Sequence, residues 1–269
     1  MAYAIKEVLT SLQNQRIKNF QHLQKASERR GQNVFIVEGL NEIRKAVKKG
    51  YHFRSVFFYP ELISASELFS LLGEVAVNEI FEVSKAVYEK IAYRENSGGV
   101  VVLAEPKKHG LELLKLPENP LVVVLESVEK PGNLGALLRT ADAAGVDAFI
   151  VCDPQTDLYN PNVVRSSIGC VFTVPIAVAD SASAIDWLKK KNIRIYCTYL
   201  QAAVPYHTIN YRGASAIVMG TESTGLTRRW TDVADQNIII PMRGEADSMN
   251  VSVAAAIVIF EACRQRGFQ

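Results

Sequence analysis

Three short segments of this chain gather glycine and polar side chains directly behind apolar, strand-like runs. Residues 121–125 lead into Pro131-Gly132-Asn133-Leu134-Gly135-Ala136-Leu137-Leu138-Arg139-Thr140, and residues 216–219 lead into Gly220-Thr221-Glu222-Ser223-Thr224-Gly225. The run Ile238-Ile239-Ile240 breaks at Pro241-Met242, crosses a polar loop and reaches Ser248-Met249-Asn250-Val251-Ser252 at the mouth of an apolar helix. A helix mouth carries free backbone N–H groups and a partial positive charge, so Ser248, Asn250 and Ser252 can hold a polar or anionic ligand there. In an open α/β sheet the carboxyl ends of the strands are where ligands bind. Gly220 and Gly225 permit the close backbone approach such a site needs.

The polar side chains of these segments allow specific chemistry. Arg139 offers a planar fork suited to a phosphate or carboxylate, and the competing reading is a helix-surface ion pair with Asp142. Asn133 can orient a hydroxyl-bearing ligand or tie its loop to Glu222. Glu222, between two glycines, can fix Asn133 and the loop amides, offset a nearby cation, or simply cap its loop. The segment 131–135 lacks the repeated glycine spacing of a dinucleotide fingerprint, which argues against an ordinary Rossmann cofactor site.

Taken together and in this order, the segments resemble the three motifs of the SpoU/TrmH-type RNA 2'-O-ribose methyltransferases of the SPOUT superfamily. Asn133, Gly135, Arg139 and Thr140 match the first motif, Gly220, Glu222 and Gly225 the second, and Pro241, Ser248, Asn250 and Ser252 the third. Residues 164–169 and 174–176 also look like family sequence, whereas Glu126-Ser127-Val128-Glu129-Lys130 departs from the shorter acidic turn usual before the first motif. The resemblance implies a largely parallel sheet with a deep trefoil knot. It further implies S-adenosylmethionine (AdoMet) held by Thr198, Gly220, Glu222, Gly225, Ile240, Met242, Ser248, Met249 and Asn250, with Ile240, Met249 and Leu226 covering the adenine. The catalytic set is then Asn133, Arg139, Glu222, Ser248 and Asn250. Family practice assigns the arginine to activation of the ribose 2'-hydroxyl. A guanidinium stays protonated above pH ~12, so a phosphate clamp that places the hydroxyl asks less of the site, and both roles stay open.

These segments must be carried by an α/β scaffold. Residues 34–37, 55–58, 80–83 and 100–104 read as strands, with helices over 5–25, 40–49 and 64–72, a small α/β domain spanning 1–105. Its pattern Val34-Phe35-Ile36-Val37-Glu38-Gly39 resembles the substrate-binding domain attached to many SpoU-type enzymes, which implies RNA recognition. A charged, Pro- and Gly-containing stretch makes 106–118 a linker. Residues 119–269 alternate strands near Leu121, Ala148, Phe172, Ile193, Ala216 and Asn237 with helices near Leu134, 161–168, Ala182, 225–230 and Val251, a largely parallel sheet covered on both faces.

Net charge is only +2, from 30 basic and 28 acidic residues, yet residues 1–30 hold six basic side chains against two acidic ones. Arg16, Lys18, Arg29 and Arg30, with Arg165 further on, are therefore the expected RNA-phosphate contacts, against the alternative of a solvated helix face. The four cysteines and four histidines are scattered without metal-ligand spacing, so free buried thiols and no metal are expected. Neither a signal peptide nor a span of ~18 apolar residues is visible, which makes the expected location cytoplasmic. The run 251–260 is apolar all round, and the family resemblance agrees with the homodimer this suggests. Ribosomal RNA is the preferred partner because of the appended domain, and transfer RNA the alternative; the rival reading is a non-catalytic RNA-binding or ribosome-assembly protein, against which the intact Asn133, Arg139, Glu222, Ser248 and Asn250 argue.

Overall fold

A computed structural model describes residues 3–93, 97–221, 224–245 and 247–268. Among them the chain forms two compact units, residues 1–108 with 157–173, and residues 109–156 with 174–269.

The first unit is built on a sheet of β1 (Glu7–Leu9), β2 (Phe35–Glu38), β3 (Phe53–Phe58), β4 (Val77–Val83) and β5 (Val100–Ala104), ordered β1-β4-β3-β5-β2. β5 runs antiparallel to both β2 and β3, while β1, β4 and β3 are parallel. The helices are α1 (Gln15–His22), α2 (Ala26–Gln32), α3 (Leu40–Lys48), α4 (Ala65–Leu72) and α5 (Lys85–Ile91). Local signals set most of their ends. Ser64 and Glu67 form a reciprocal capping box at α4, and Ser84 caps α5, a helix that sequence reading missed.

The single helix expected over 5–25 does not form. Glu7–Leu9 pairs instead with Phe81–Val83 as an edge strand, and Asn14 then starts a new helix by accepting the N–H of Arg16 at 2.9 Å. Long-range strand pairing has overridden a stretch of moderate helix propensity.

The second unit consists of β6 (Leu121–Glu126), α6 (Pro131–Ala144), β7 (Ala148–Cys152), then, after an excursion containing α7 (Pro161–Ser166), β8 (Ile176–Ala179), α8 (Ser181–Lys190), β9 (Arg194–Thr198), β10 (Ala203–Pro205), β11 (Ser215–Met219), α9 (Arg228–Thr231), β12 (Gln236–Ile239) and α10 (Val251–Gln265). Its seven strands are all parallel, in the order β10-β12-β9-β11-β6-β7-β8. The central strands β6, β7 and β11 are buried along their whole length, as expected of a parallel sheet covered on both faces. Phe172, expected in a strand, lies in a 3-10 turn, and the strand begins only after Pro175.

The excursion 157–173 belongs to the first unit. Tyr159 stacks on Phe35 with ring centroids 4.1 Å apart and shares a hydrogen bond of 3.0 Å with the Tyr51 hydroxyl. Asp157 pairs with Arg29, and Lys45 donates to the Ile168 carbonyl at 2.8 Å. The expected linker also divides differently. His109 already belongs to the second unit, where its carbonyl accepts from Val178 at 2.7 Å, and Leu111, Leu114 and Leu116 pack on that unit's core.

Candidate active site

Because every strand of the second sheet points the same way, the loops after β6, β9, β11 and β12 leave one edge. The first and third motifs meet there. Asn250 caps α10 through Oδ1, which accepts from Ser252 N at 2.9 Å and Ser252 Oγ at 2.6 Å. That use of Oδ1 turns its amide nitrogen outward, and Nδ2 donates to Asn133 Oδ1 at 3.2 Å across 117 residues of sequence. Asn133 lies within the first turn of α6 rather than in a loop. At their other ends the same helices meet again, with Cys263 Sγ 3.5 Å from the Ala144 carbonyl. α6 and α10 are thus parallel neighbours whose N-termini share one edge, and their partial positive charges add there.

Beside this pair a cleft of about 360 Å³, its open mouth included, is lined by Leu125, Val128, Glu129, Lys130, Asn133, Gly220, Thr221 and Val251. Gly220 has no room for a side chain. A Cβ there would stand 2.2 Å from Gly225 C and 2.4 Å from Leu226 N, so the loop leaves and re-enters its base with backbone against backbone. Gly225 closes the loop at φ +67°, donating to the Thr221 carbonyl at 3.1 Å. Glu222, expected in both the catalytic and the cofactor set, lies outside the described residues.

The remaining expected residues divide into groups. Ser248 and Asn250 are exposed, Met249 and Ile240 are half-buried, and Met242 is exposed. Thr198 ends β9, and its hydroxyl is spent on the Val218 carbonyl at 3.1 Å. Leu226 is buried with Trp230 and Ile185 in the core, so it packs beneath the loop rather than over a ligand. Arg139 projects into solvent from the third turn of α6, about 9 Å along the axis from Asn133.

One element went unseen in the sequence. Glu126, at the end of β6 and 2% exposed, accepts from Thr227 N at 2.8 Å through Oε2 and from Thr227 Oγ1 at 2.7 Å through Oε1. The indole of Trp230 donates to Ser181 Oγ at 3.1 Å, and Ser181 Oγ lies 2.6 Å from Asp153 and 3.2 Å from Glu126. A hydroxyl has one proton, so the shorter contact to Asp153 takes it. A buried acid at the last position of an otherwise apolar strand was the available signal.

Of the expected RNA contacts, Arg29 is corrected. Its side chain is buried, donates to the carbonyls of Leu23 and Gln24 at 2.7 and 2.8 Å and pairs with Asp157, so it holds the first unit together. Arg16 sits 5.0 Å from the Phe81 ring and near Glu79, Lys18 is half-buried and Arg30 is exposed. None of the four cysteines is in a disulfide, and all four are buried. Among the described residues no group of His, Cys, Asp and Glu is arranged to hold a metal, and no helix is long and apolar enough to cross a membrane.

A parallel α/β unit whose first, second and third motif segments bring Asn133, Gly220 and Val251 to one cleft, joined to a second α/β unit, belongs to the class of α/β ligand-binding folds. Comparison with known proteins is specific within it. The SpoU rRNA Methylase family model matches residues 120–260, and the MRM3-like substrate binding domain matches residues 14–102. The chain belongs to the SpoU rRNA methylase family. A 23S rRNA (guanosine(2553)-2'-O)-methyltransferase of Bacillus subtilis is 29% identical over 252 residues, 94% of this chain and 97% of that protein. A 23S rRNA (guanosine-2'-O-)-methyltransferase of Bordetella pertussis is 36% identical over 199 residues, 72% of this chain and 81% of that protein. The crystal structure of an AdoMet-bound rRNA methyltransferase from Sinorhizobium meliloti aligns with a TM-score of 0.86 at 32% identity, covering 97% of this chain and 98% of that one.

Proposed function

We propose that this chain transfers a methyl group from AdoMet to a ribose 2'-oxygen of ribosomal RNA. The observation that carries the reading is the Asn250–Asn133 hydrogen bond beside the Gly220 cleft, which joins the first and third motifs in a member of this family. The relatives' names support 23S ribosomal RNA as the substrate class.

The residues present fit the cofactor. Leu125, Val128 and Val251 supply apolar wall, while Gly220 and Thr221 expose backbone that can read a purine edge. The two helix N-termini suit the carboxylate of a methionine moiety. When bound, AdoMet supplies an electrophilic methyl on its sulfonium. Asn133 and Asn250 hold each other's orientation at the mouth, and Ser248, exposed beside them, offers a hydrogen-bond partner to the ribose hydroxyl. Arg139 clamps RNA phosphate, and its solvent exposure suits that role better than service as a base. Ser248 would hold the ribose hydroxyl while bound AdoMet would supply the methyl, its S–CH3 bond breaking to leave a neutral thioether and the hydroxyl proton passing to solvent. No metal takes part.

The first unit recognises the RNA, with Arg30, Lys18, Arg16 and Arg165 as contacts. The protein works as a cytoplasmic homodimer, and its second unit carries the trefoil knot that the family resemblance implies. Val253 and Phe260 of α10 stay 49% and 40% exposed, and with the half-buried Ala256 and Ile257 they form an i, i+3, i+4, i+7 apolar stripe opposite the face packed in the core.

Tritiated methyl transfer to RNA, measured beside AdoMet calorimetry and light scattering, tests this reading. Arg139→Ala abolishes transfer and leaves AdoMet affinity nearly intact, and Arg139→Lys rescues poorly because it loses the fork. Full activity in Arg139→Ala, AdoMet binding that disappears with a chelator, or a monomer at micromolar concentration each removes the corresponding part of the proposal.

A further inference from the structure

The first unit contains an aromatic–cation pair that the fold does not require. The Arg165 guanidinium lies over the ring of Tyr93 at 3.7 Å from its centroid. Yet Tyr93 is 72% exposed, so the ring contributes little to the core. Both partners are nevertheless held in place. Tyr93, just past the end of α5, donates its backbone N–H to Glu38 Oε1 at 2.9 Å. Arg165 rides on α7 and donates to Asn162 Oδ1 at 2.5 Å, its one side-chain hydrogen bond among the described residues. Most of its five donors therefore stay available to another acceptor.

The pair stands at the rim of a small cleft lined on the apolar side by Ile36, Ile91, Pro161 and Val164 and on the polar side by Gln24 and Glu38. Apolar walls, one exposed aromatic face, an immobilised guanidinium and amide and carboxylate groups are what an unstacked nucleotide needs. Single-stranded bases are recognised by stacking on aromatic rings and arginine planes, with hydrogen bonds to their edges, while arginine takes the adjoining phosphate. A pre-placed guanidinium also loses little rotamer freedom on binding.

We propose that Tyr93 and Arg165, with the cleft between α5 and α7, form a seat for one splayed nucleotide of the RNA substrate, the base against the Tyr93 ring and its phosphate on Arg165. This rests on the RNA methyltransferase reading above and adds to it a recognition site in the first unit, assembled with a segment from the middle of the chain. An acidic peptide would use Arg165 but would leave the stacking face without a role.

Filter binding of the full-length protein to transcribed 23S ribosomal RNA, over a series of salt concentrations, tests the seat. Tyr93→Ala weakens binding by about 5- to 150-fold, the range found when a stacked base loses its aromatic partner. Tyr93→Phe retains wild-type affinity, whereas Tyr93→Leu behaves like Tyr93→Ala. Arg165→Gln lowers the slope of log affinity against log salt by about 0.7, the loss of one phosphate contact on single-stranded RNA. The AdoMet affinity and thermal midpoint of Tyr93→Ala stay at wild-type values, since the ring is exposed. Wild-type protein that fails to bind the RNA overturns the RNA reading and the seat with it. Wild-type binding that Tyr93→Ala leaves unchanged, or that Tyr93→Phe weakens equally, overturns the seat alone.

Discussion

Replacing Glu126 should loosen the candidate cofactor loop, and the structure sets the size of the effect. The carboxylate is 2% exposed and holds the residue that follows the loop by both its N–H, at 2.8 Å, and its hydroxyl, at 2.7 Å. In Glu126→Ala the Thr227 hydroxyl can rotate to another partner, but the N–H cannot. One orphaned donor costs about 1–3 kcal/mol, and the space left by the side chain adds about 1 kcal/mol, so the variant loses about 2–4 kcal/mol. Glu126→Gln is milder. Its amide oxygen can keep the Thr227 N–H while its NH2 group donates to the Thr227 hydroxyl, leaving about 1 kcal/mol for the weaker, neutral hydrogen bonds.

Because Gly220 packs directly on the backbone of Gly225 and Leu226, freeing Thr227 frees the wall of the cleft. Re-ordering one residue on binding costs about 1–2 kcal/mol, which weakens AdoMet by roughly 5- to 30-fold. Thermal denaturation and calorimetry on wild type, Glu126→Gln and Glu126→Ala give the answer. At about 2–4 °C per kcal/mol the Ala variant melts some 4–16 °C lower. An unchanged midpoint and AdoMet affinity in Glu126→Ala, or a Gln variant worse than Ala, would refute the argument.

Other expectations follow from single positions. Gly220→Ala places a Cβ 2.2 Å from a backbone carbon, so AdoMet binding should vanish, whereas Gly225→Ala meets no atom within 4 Å and carries only the positive-φ penalty of about 1–2 kcal/mol, giving weakened but measurable binding by calorimetry. Burial raises the thiol pKa of Cys197 to about 12 and that of Cys152 further, so mass spectrometry after iodoacetamide at pH 8 should find both unmodified in native protein and alkylated once it is unfolded. Glu261, bound by both Arg264 Nε and a terminal guanidinium nitrogen at 2.8 Å, has its pKa lowered from 4.5 to about 2. Its contribution to stability is therefore present above pH 4.5 and lost as pH falls toward 2, and urea titrations of wild type and Glu261→Gln should differ above that window and converge at its acid end.

Much of the fold was legible because its signals are local. The uninterrupted apolar runs at 121–125 and 216–219 became fully buried parallel strands, and Asn250, placed at the helix mouth by its sequence, capped α10. The family motifs were readable for the same reason, since each is a contiguous string. Partnerships were not readable. Arg29 looked like one more basic residue of a charged helix, and only packing placed Asp157 beside it, 128 residues away. The stretch 157–173 follows β7 in sequence yet joins the first unit, because Tyr159 finds Phe35 and Tyr51 there. Glu126 had no neighbour in sequence to mark it as the anchor of Thr227. Hydrophobic period, caps and turns are properties of a few consecutive residues, so sequence alone determined them. Which buried charge or hydroxyl meets which partner depends on the crossing of distant segments, and only the tertiary structure decided that.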